Sequence, residues 1–227
     1  MIDQNLAIAG IGHPCLDRTE ESRKTLRPAP ALDNHAEAEL LSRASRGDEA
    51  AFLLLYERHR TPVFRFAYRL LGSVHEAEDI THDCFLALIR RPHGYQPERA
   101  SLRTYLCAAA RNLAFKQFRR KGLETLTDEP VEPERSEMQG VAAPLRRLMD
   151  AEIAGEVERA VSALPPLQRE TVILFEYLDM SLADVAMTVG VDVGTVKSRL
   201  HRARERLRRS LAPWLQERQN SPMERNA

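Results

Sequence analysis

The stretch Ser181 to Leu207 constrains this chain more than any other part of it. Ser181-Leu182-Ala183-Asp184 reads as a helix start, with a Ser oxygen to take a free backbone N–H and an acid three residues on. The helix it opens runs to Val189, with Val185 and Ala186 inward, and Gly190 makes a tight turn. Asp192 then caps a second helix whose Val196, Leu200, Ala203 and Leu207 form one apolar stripe. The opposite arc holds Ser198, His201, Arg202 and Glu205, flanked by Thr195, Lys197, Arg206 and Arg208. A capped helix, a glycine turn and a basic amphipathic helix make a helix-turn-helix pattern. Its second helix can lie in a major groove, early turns against base edges and later basic residues against phosphates. Arg can bond both acceptors of guanine, whereas Ser and His discriminate less. A solvated basic helix would share the arginines but not the capped partner helix and the turn.

The rest of the chain points to an all-α fold of two small helical domains joined by a flexible acidic linker. Long apolar-periodic stretches rich in Ala, Leu, Arg and Glu dominate, and only 10 of the 227 residues are Gly. Residues 1–35 carry Pro14, Pro28 and Pro30 without periodicity and read as a flexible extension. Residues 36–122 read as a first domain. Here Asp48 caps a helix bearing Phe52 and Leu55, and Thr61-Pro62 opens another that Gly72 ends. Ser73-Val74-His75-Glu76 is a capping box before a helix bearing Ala77, Ile80, Cys84 and Leu88. A loop near Pro92 and Gly94 follows, and Ser101 caps a long helix to about Lys121. Residues 123–149 hold Pro130 and Pro133 among acids and read as the linker. Residues 150–212 read as the second domain, with a helix ended by Pro165-Pro166, one from Leu167 to Tyr177, and the helix-turn-helix ending near Leu211. Residues 213–227 read as a polar, frayed tail.

Net charge is zero, which by itself speaks against a polyanion partner, but the charges are segregated. Arg111 to Lys121 holds five basic residues and no acid, and Gly194 to Arg209 holds seven basic residues against Glu205 alone. Leu123 to Gly140 between them holds six acids and one Arg. Local sign decides where nucleic acid docks. Three distant cysteines, Cys15, Cys84 and Cys107, show no metal spacing and read as reduced thiols of a cytoplasmic protein. No signal peptide or membrane span is evident. There is no phosphate loop, nucleophile elbow or HExxH, and His75 and His82 share a helix face without a third ligand. Neither an enzyme, nor a metal site, nor a cofactor is expected.

Several strings resemble a known family. Val193-Gly194-Thr195-Val196-Lys197-Ser198-Arg199-Leu200-His201-Arg202-Ala203-Arg204 resembles the last helix-turn-helix of sigma factors in the extracytoplasmic-function (ECF) group of the sigma-70 family. Leu164-Pro165 and Gln168-Arg169-Glu170 resemble the opening of the same domain, region four, which in the family reads the −35 promoter element. The resemblance implies −35 contacts from Thr195, Lys197, Ser198, Arg199, His201, Arg202 and Arg206. Leu70-Leu71-Gly72, Ala77-Glu78-Asp79-Ile80 and Cys84-Phe85-Leu86 are similar to region two, whose helix binds the clamp helices of core RNA polymerase. Asp79, His82, Asp83, Phe85 and Leu86 fall on those positions, with His82-Asp83 where the family more often has Gln-Glu. The segment Tyr95 to Arg103, with Tyr105-Leu106 and Ala110-Arg111-Asn112-Leu113-Ala114, resembles the part that captures unpaired bases of the −10 element. Tyr95, Ser101, Arg103, Tyr105, Arg111 and Asn112 are then the −10 candidates, and Arg111, Lys116, Arg119, Arg120 and Lys121 can hold phosphates.

The resemblance covers roughly residues 37–212. It implies a subunit that binds core RNA polymerase and promoter DNA and is controlled by an anti-sigma factor, without membrane insertion. In the family the linker runs towards the RNA exit path. Two other readings stay open: a free-standing helix-turn-helix regulator, which leaves the Arg111-Asn112 segment without a role, and a decoy that binds polymerase without reading promoters.

Overall fold

The computed structural model describes residues 33–120 and 145–220, with side chains over 33–120 and 153–214. Residues 1–32 of the N-terminal extension, Cys15 among them, Lys121, most of the acidic linker and the last seven residues lie outside the described residues. Eight α-helices, with one 3-10 turn and one π turn, make up the described chain, and it contains no strand. The all-α expectation therefore holds.

Helices α1 (Asn34–Ser45), α2 (Glu49–Leu71), α3 (Val74–Arg90) and α4 (Leu102–Arg120) form the first bundle. Side-chain caps start all four. Asp33 accepts from the His35 N–H at 3.4 Å, Asp48 from Ala51 at 3.0 Å, and Ser73 from Glu76 at 3.3 Å. Ser101 likewise accepts from the Thr104 N–H at 3.1 Å ahead of α4. Gly72 ends α2 with φ +75, a left-handed conformation that side-chain-bearing residues adopt at a cost. Leu55, Phe66, Leu70, Ile80, Leu88, Leu102 and Leu106 are all at most 1% exposed and form the core. Full burial of each such side chain contributes about 1.5–3 kcal/mol.

The structure corrects one break in this bundle. Thr61-Pro62 does not open a new helix, because α2 runs unbroken through Pro62. A proline inside a helix costs about 3 kcal/mol in a lost hydrogen bond and a ring clash. Ala51, Leu55, Val63, Phe66, Ala67 and Leu70 keep one buried helical stripe across the proline, and the packing of that stripe offsets the cost.

Helices α5 (Leu145–Ser162), α6 (Pro166–Val172), α7 (Leu182–Val189) and α8 (Val193–Asn220) form the second bundle. α5 begins at Leu145, inside the stretch expected to be linker. The helix expected over Leu167–Tyr177 is α6 followed by a π turn at Ile173–Tyr177, closed by the Leu178 N–H to the Ile173 carbonyl at 3.0 Å. α8 passes the expected stop near Leu211 and continues through Pro213 to Asn220.

The two bundles pack against each other. α7 lies along α4, and α6 with the π turn meets α2. A flexible tether did not anticipate this, since the groups that join the domains are 59 to 99 residues apart in sequence.

Candidate nucleic-acid interface

The helix-turn-helix forms as its residues predict. The Ser181 oxygen accepts from the Asp184 N–H at 3.1 Å, and its hydroxyl donates to the Asp184 carboxylate at 2.6 Å. Gly190 makes the turn at φ +72. Asp192 accepts from the Thr195 N–H at 2.8 Å and from the Thr195 hydroxyl at 2.6 Å. These bonds hold the Asp192 carboxyl below its ordinary value of 3.8. Val196, Leu200, Ala203 and Leu207 are buried, which turns Lys197, Ser198, His201 and Arg202 to the surface. Thr195 and Arg206 are half-buried on its flanks.

Arg199 departs from this face. Its guanidinium points inward and lies 3.4 Å from the carboxylate of Glu170 on α6. The Glu170 side chain is fully buried. It also receives Arg111 of α4, from Nε at 2.6 Å and Nη2 at 3.2 Å. Burial pushes the Glu170 carboxyl up, while Arg111 and Arg199 pull it down. One carboxylate thus holds an arginine from each candidate DNA-reading segment.

The −10 candidates divide in two. Asn112, Lys116, Arg119 and Arg120 are exposed along one side of α4. Arg103 and Arg111 instead face the second domain. Arg103 donates to the Leu178 carbonyl, and beside it the Thr104 hydroxyl donates to Asp184 at 3.2 Å. Arg111 also stacks on the Phe115 ring at 4.5 Å. Tyr95 is only 5% exposed, which removes its ring from the surface. That ring lies 5.8 Å from Tyr105, which is half-buried, and its hydroxyl donates to the Asn34 carbonyl at 3.5 Å. Asn34 also donates to the Pro97 carbonyl at 3.1 Å, so α1 braces the loop before α4. Tyr95 shapes that loop from beneath, and burial pushes its phenol up to about 12. The Ser101 oxygen is taken by the helix start.

On α3, Asp79, His82, Asp83 and Leu86 form an exposed face, Leu86 at 38%. Phe85 does not join it. At 2% exposure it packs edge-on against Phe52 and Tyr56, with centroids at 6.5 and 4.9 Å. Its place in the Ala77, Ile80, Thr81, Cys84, Leu88 stripe turns it inward. Cys84 and Cys107 are buried as well, and burial pushes both thiols up to about 12, so they stay un-ionised at neutral pH. Among the described residues no cluster of His, Cys, Asp and Glu suits a metal ion, and no helix is long and apolar enough to cross a membrane.

Residues 55–124 match the model of Sigma-70 region 2, and residues 154–207 match that of Sigma-70, region 4. The ECF RNA polymerase sigma factor SigW of Bacillus subtilis (strain 168) is 31% identical over 178 residues, 75% of this chain and 94% of SigW. This chain belongs to the ECF sigma factors. SigM of Mycobacterium tuberculosis is 33% identical over 176 residues, 78% of this chain and 85% of that one. SigE of Mycolicibacterium smegmatis is 33% identical over 169 residues, and the match spans 65% of its length. Among solved structures, the sigma factor RpoE in complex with the anti-sigma factor NepR from Bartonella quintana aligns with a TM-score of 0.54 at 25% identity. The alignment covers 71% of this chain and 96% of RpoE. CnrH, solved with the cytosolic domain of CnrY, shares the fold at a TM-score of 0.56 and 23% identity, over 78% of this chain and 98% of that one.

Sequence reasoning missed the residues that join the domains: Arg69, Glu158, Asp184 and, above all, Glu170. Glu170 stands in the polar stretch Gln168 to Thr171, which reads as a solvated face, so the sequence carried no signal that its carboxylate is buried.

Proposed function

We propose that this ECF sigma factor binds core RNA polymerase through the α3 face of Asp79, His82, Asp83 and Leu86. On this reading the loop and the exposed side of α4 open and hold the −10 element, and α8 docks on the −35 element. The observation that carries the proposal is the exposed row Lys197, Ser198, His201 and Arg202 on a capped α8 whose opposite side is buried. That is the arrangement a recognition helix needs in the major groove. Asn112 supplies a donor and an acceptor for an unpaired base, and Lys116, Arg119 and Arg120 supply phosphate charge. The chemistry of transcription belongs to the polymerase; this subunit contributes binding and strand separation. Two modest contacts on one chain reinforce each other through effective concentration. The likeness to RpoE supports control by an anti-sigma factor that covers these faces.

Box-by-box genetics tests the assignment. Arg202→Ala is expected to lose discrimination at the −35 box and Asn112→Ala at the −10 box, each read as run-off transcription from promoters altered in one box only. Equal losses on every promoter from both variants would contradict the assignment.

A further inference from the structure

We propose that Glu176 and Arg204, acting with Glu170 and Arg199 on the other flank, are positioning residues that fix the roll of α8 and so sharpen its choice of −35 sequence. This rests on the placement of the −35 contacts on α8 given above.

The apolar stripe that seats α8 is narrow. Val196, Leu200, Ala203 and Leu207 are its buried residues. At ~100° per residue they cover an arc of only ~60°, where a helix packed on a core usually shows at least ~100°. A narrow stripe holds a helix down but resists rotation about the helix axis weakly.

Two ion pairs stand on either side of it. Arg199 lies 3.4 Å from Glu170 of α6, and Arg204 donates to Glu176 of the π turn at 2.7 Å. Arg204 comes five positions after Arg199, which places the two arginines ~70° to opposite sides of the stripe's centre. Both carboxylates are withdrawn from water, Glu170 fully and Glu176 to 12% exposure. A carboxylate so placed costs free energy unless it is paired. Arg204 also lies 5.8 Å from the Phe175 ring centroid. Each pair resists the rotation that would stretch it, and the two act in opposite senses.

The base-reading side is the one this control serves. Lys197, Ser198, His201 and Arg202 point away from the stripe. A roll of ~15° moves an atom ~6 Å from the helix axis by ~1.5 Å, which takes a hydrogen bond of ~2.9 Å out of range. Phosphate contacts through long charged side chains tolerate such a shift, because they position the protein without reading sequence. Loss of roll control therefore costs discrimination more than overall affinity. The plainer role for Arg204, an exposed phosphate ligand, predicts the opposite sign. Removing Glu176 would then release a guanidinium and strengthen binding to every sequence.

The test uses the full chain with core polymerase on two promoter libraries, one randomised over the −35 box and one over the −10 box. Sequencing identifies the transcribed templates. Glu176→Ala and Arg204→Ala should each lower the ratio of best- to worst-transcribed −35 sequences by at least ~5-fold, the lower end of what one base contact contributes. Both should leave the −10 ratio unchanged. The double variant should lose no more than either single one, because both remove the same pair. Glu176→Gln, which still offers Arg204 an acceptor, should keep most of the preference. Circular dichroism checks folding, and if Glu176→Ala fails to fold, Arg204→Ala and Glu176→Gln decide the matter. An unchanged −35 ratio with more transcription from every template would make Arg204 a phosphate ligand and overturn the proposal. Equal losses in both libraries, or losses that multiply in the double variant, would overturn it as well. A wild-type protein that fires promoters without any −35 preference would instead show that α8 does not read that box, and the proposal would fall with that assignment.

Discussion

Phe85 and Leu86 are neighbours on α3 with opposite fates, and replacing each with Ala separates core from contact. Phe85 is 2% exposed and rests on Phe52 and Tyr56. Phe85→Ala removes a buried ring and leaves a cavity, at a cost of about 3–5 kcal/mol. For a cooperative unit of 60–100 residues, 1 kcal/mol moves the midpoint by about 4–8 °C, so the melting temperature should fall by roughly 12–40 °C. Leu86 is 38% exposed, and its truncation should change stability by no more than about 0.5 kcal/mol. Thermal unfolding followed by circular dichroism gives the first quantity, and titration of labelled core polymerase well below the melting point gives the second. The expected result is crossed: Phe85→Ala melts early yet binds polymerase when folded, whereas Leu86→Ala melts normally and binds more weakly. A Phe85→Ala protein with unchanged melting and lost polymerase binding would refute the packing argument and return Phe85 to the contact face.

Other expected outcomes are as direct. Gly190→Ala places a Cβ at φ +72 with no clash within 4 Å, so its effect is backbone strain of about 1–2 kcal/mol, visible as a lower melting temperature. Arg119→Ala and Arg120→Ala should weaken promoter binding on all sequences alike, each reducing the salt slope of log K by about 1. The Asp48 carboxyl is held below 3.8 by the Ala51 N–H it caps and by Arg43, and the Asp192 carboxyl by the Thr195 hydroxyl and then the Thr195 N–H. Their stabilisation is therefore complete above 3.8 and lost as pH falls through the lower folded values. An acid titration followed by helix content should show this loss, and Asp192→Asn, an uncharged cap, should remove the α8 share of it.

The elements that local chemistry writes were legible in the sequence. Ser73, Ser101, Ser181 and Asp192 cap the helices their spacing announced, and Gly72 and Gly190 turn left-handed where the stripes end. Pro62 misled because a proline's local cost says nothing of the packing that offsets it. Phe85 and Tyr95 lay on positions that resemblance marked for contact, yet Phe85 shares the buried α3 stripe and Tyr95 is turned inward beneath its loop. The packing of the two bundles against each other left no trace in any periodicity. Arg111 reads as a phosphate-binding residue until the structure sets it against Glu170, 59 residues on. A charged side chain suits solvent, nucleic acid or a buried partner equally well, and sequence spacing does not choose among them.

The most direct test of the central claim is run-off transcription with purified core polymerase on a promoter library, with and without this protein. The account predicts defined start sites, dependent on the protein and sharing one pair of boxes at −35 and −10. Polymerase that neither binds the protein nor changes its start sites would contradict it.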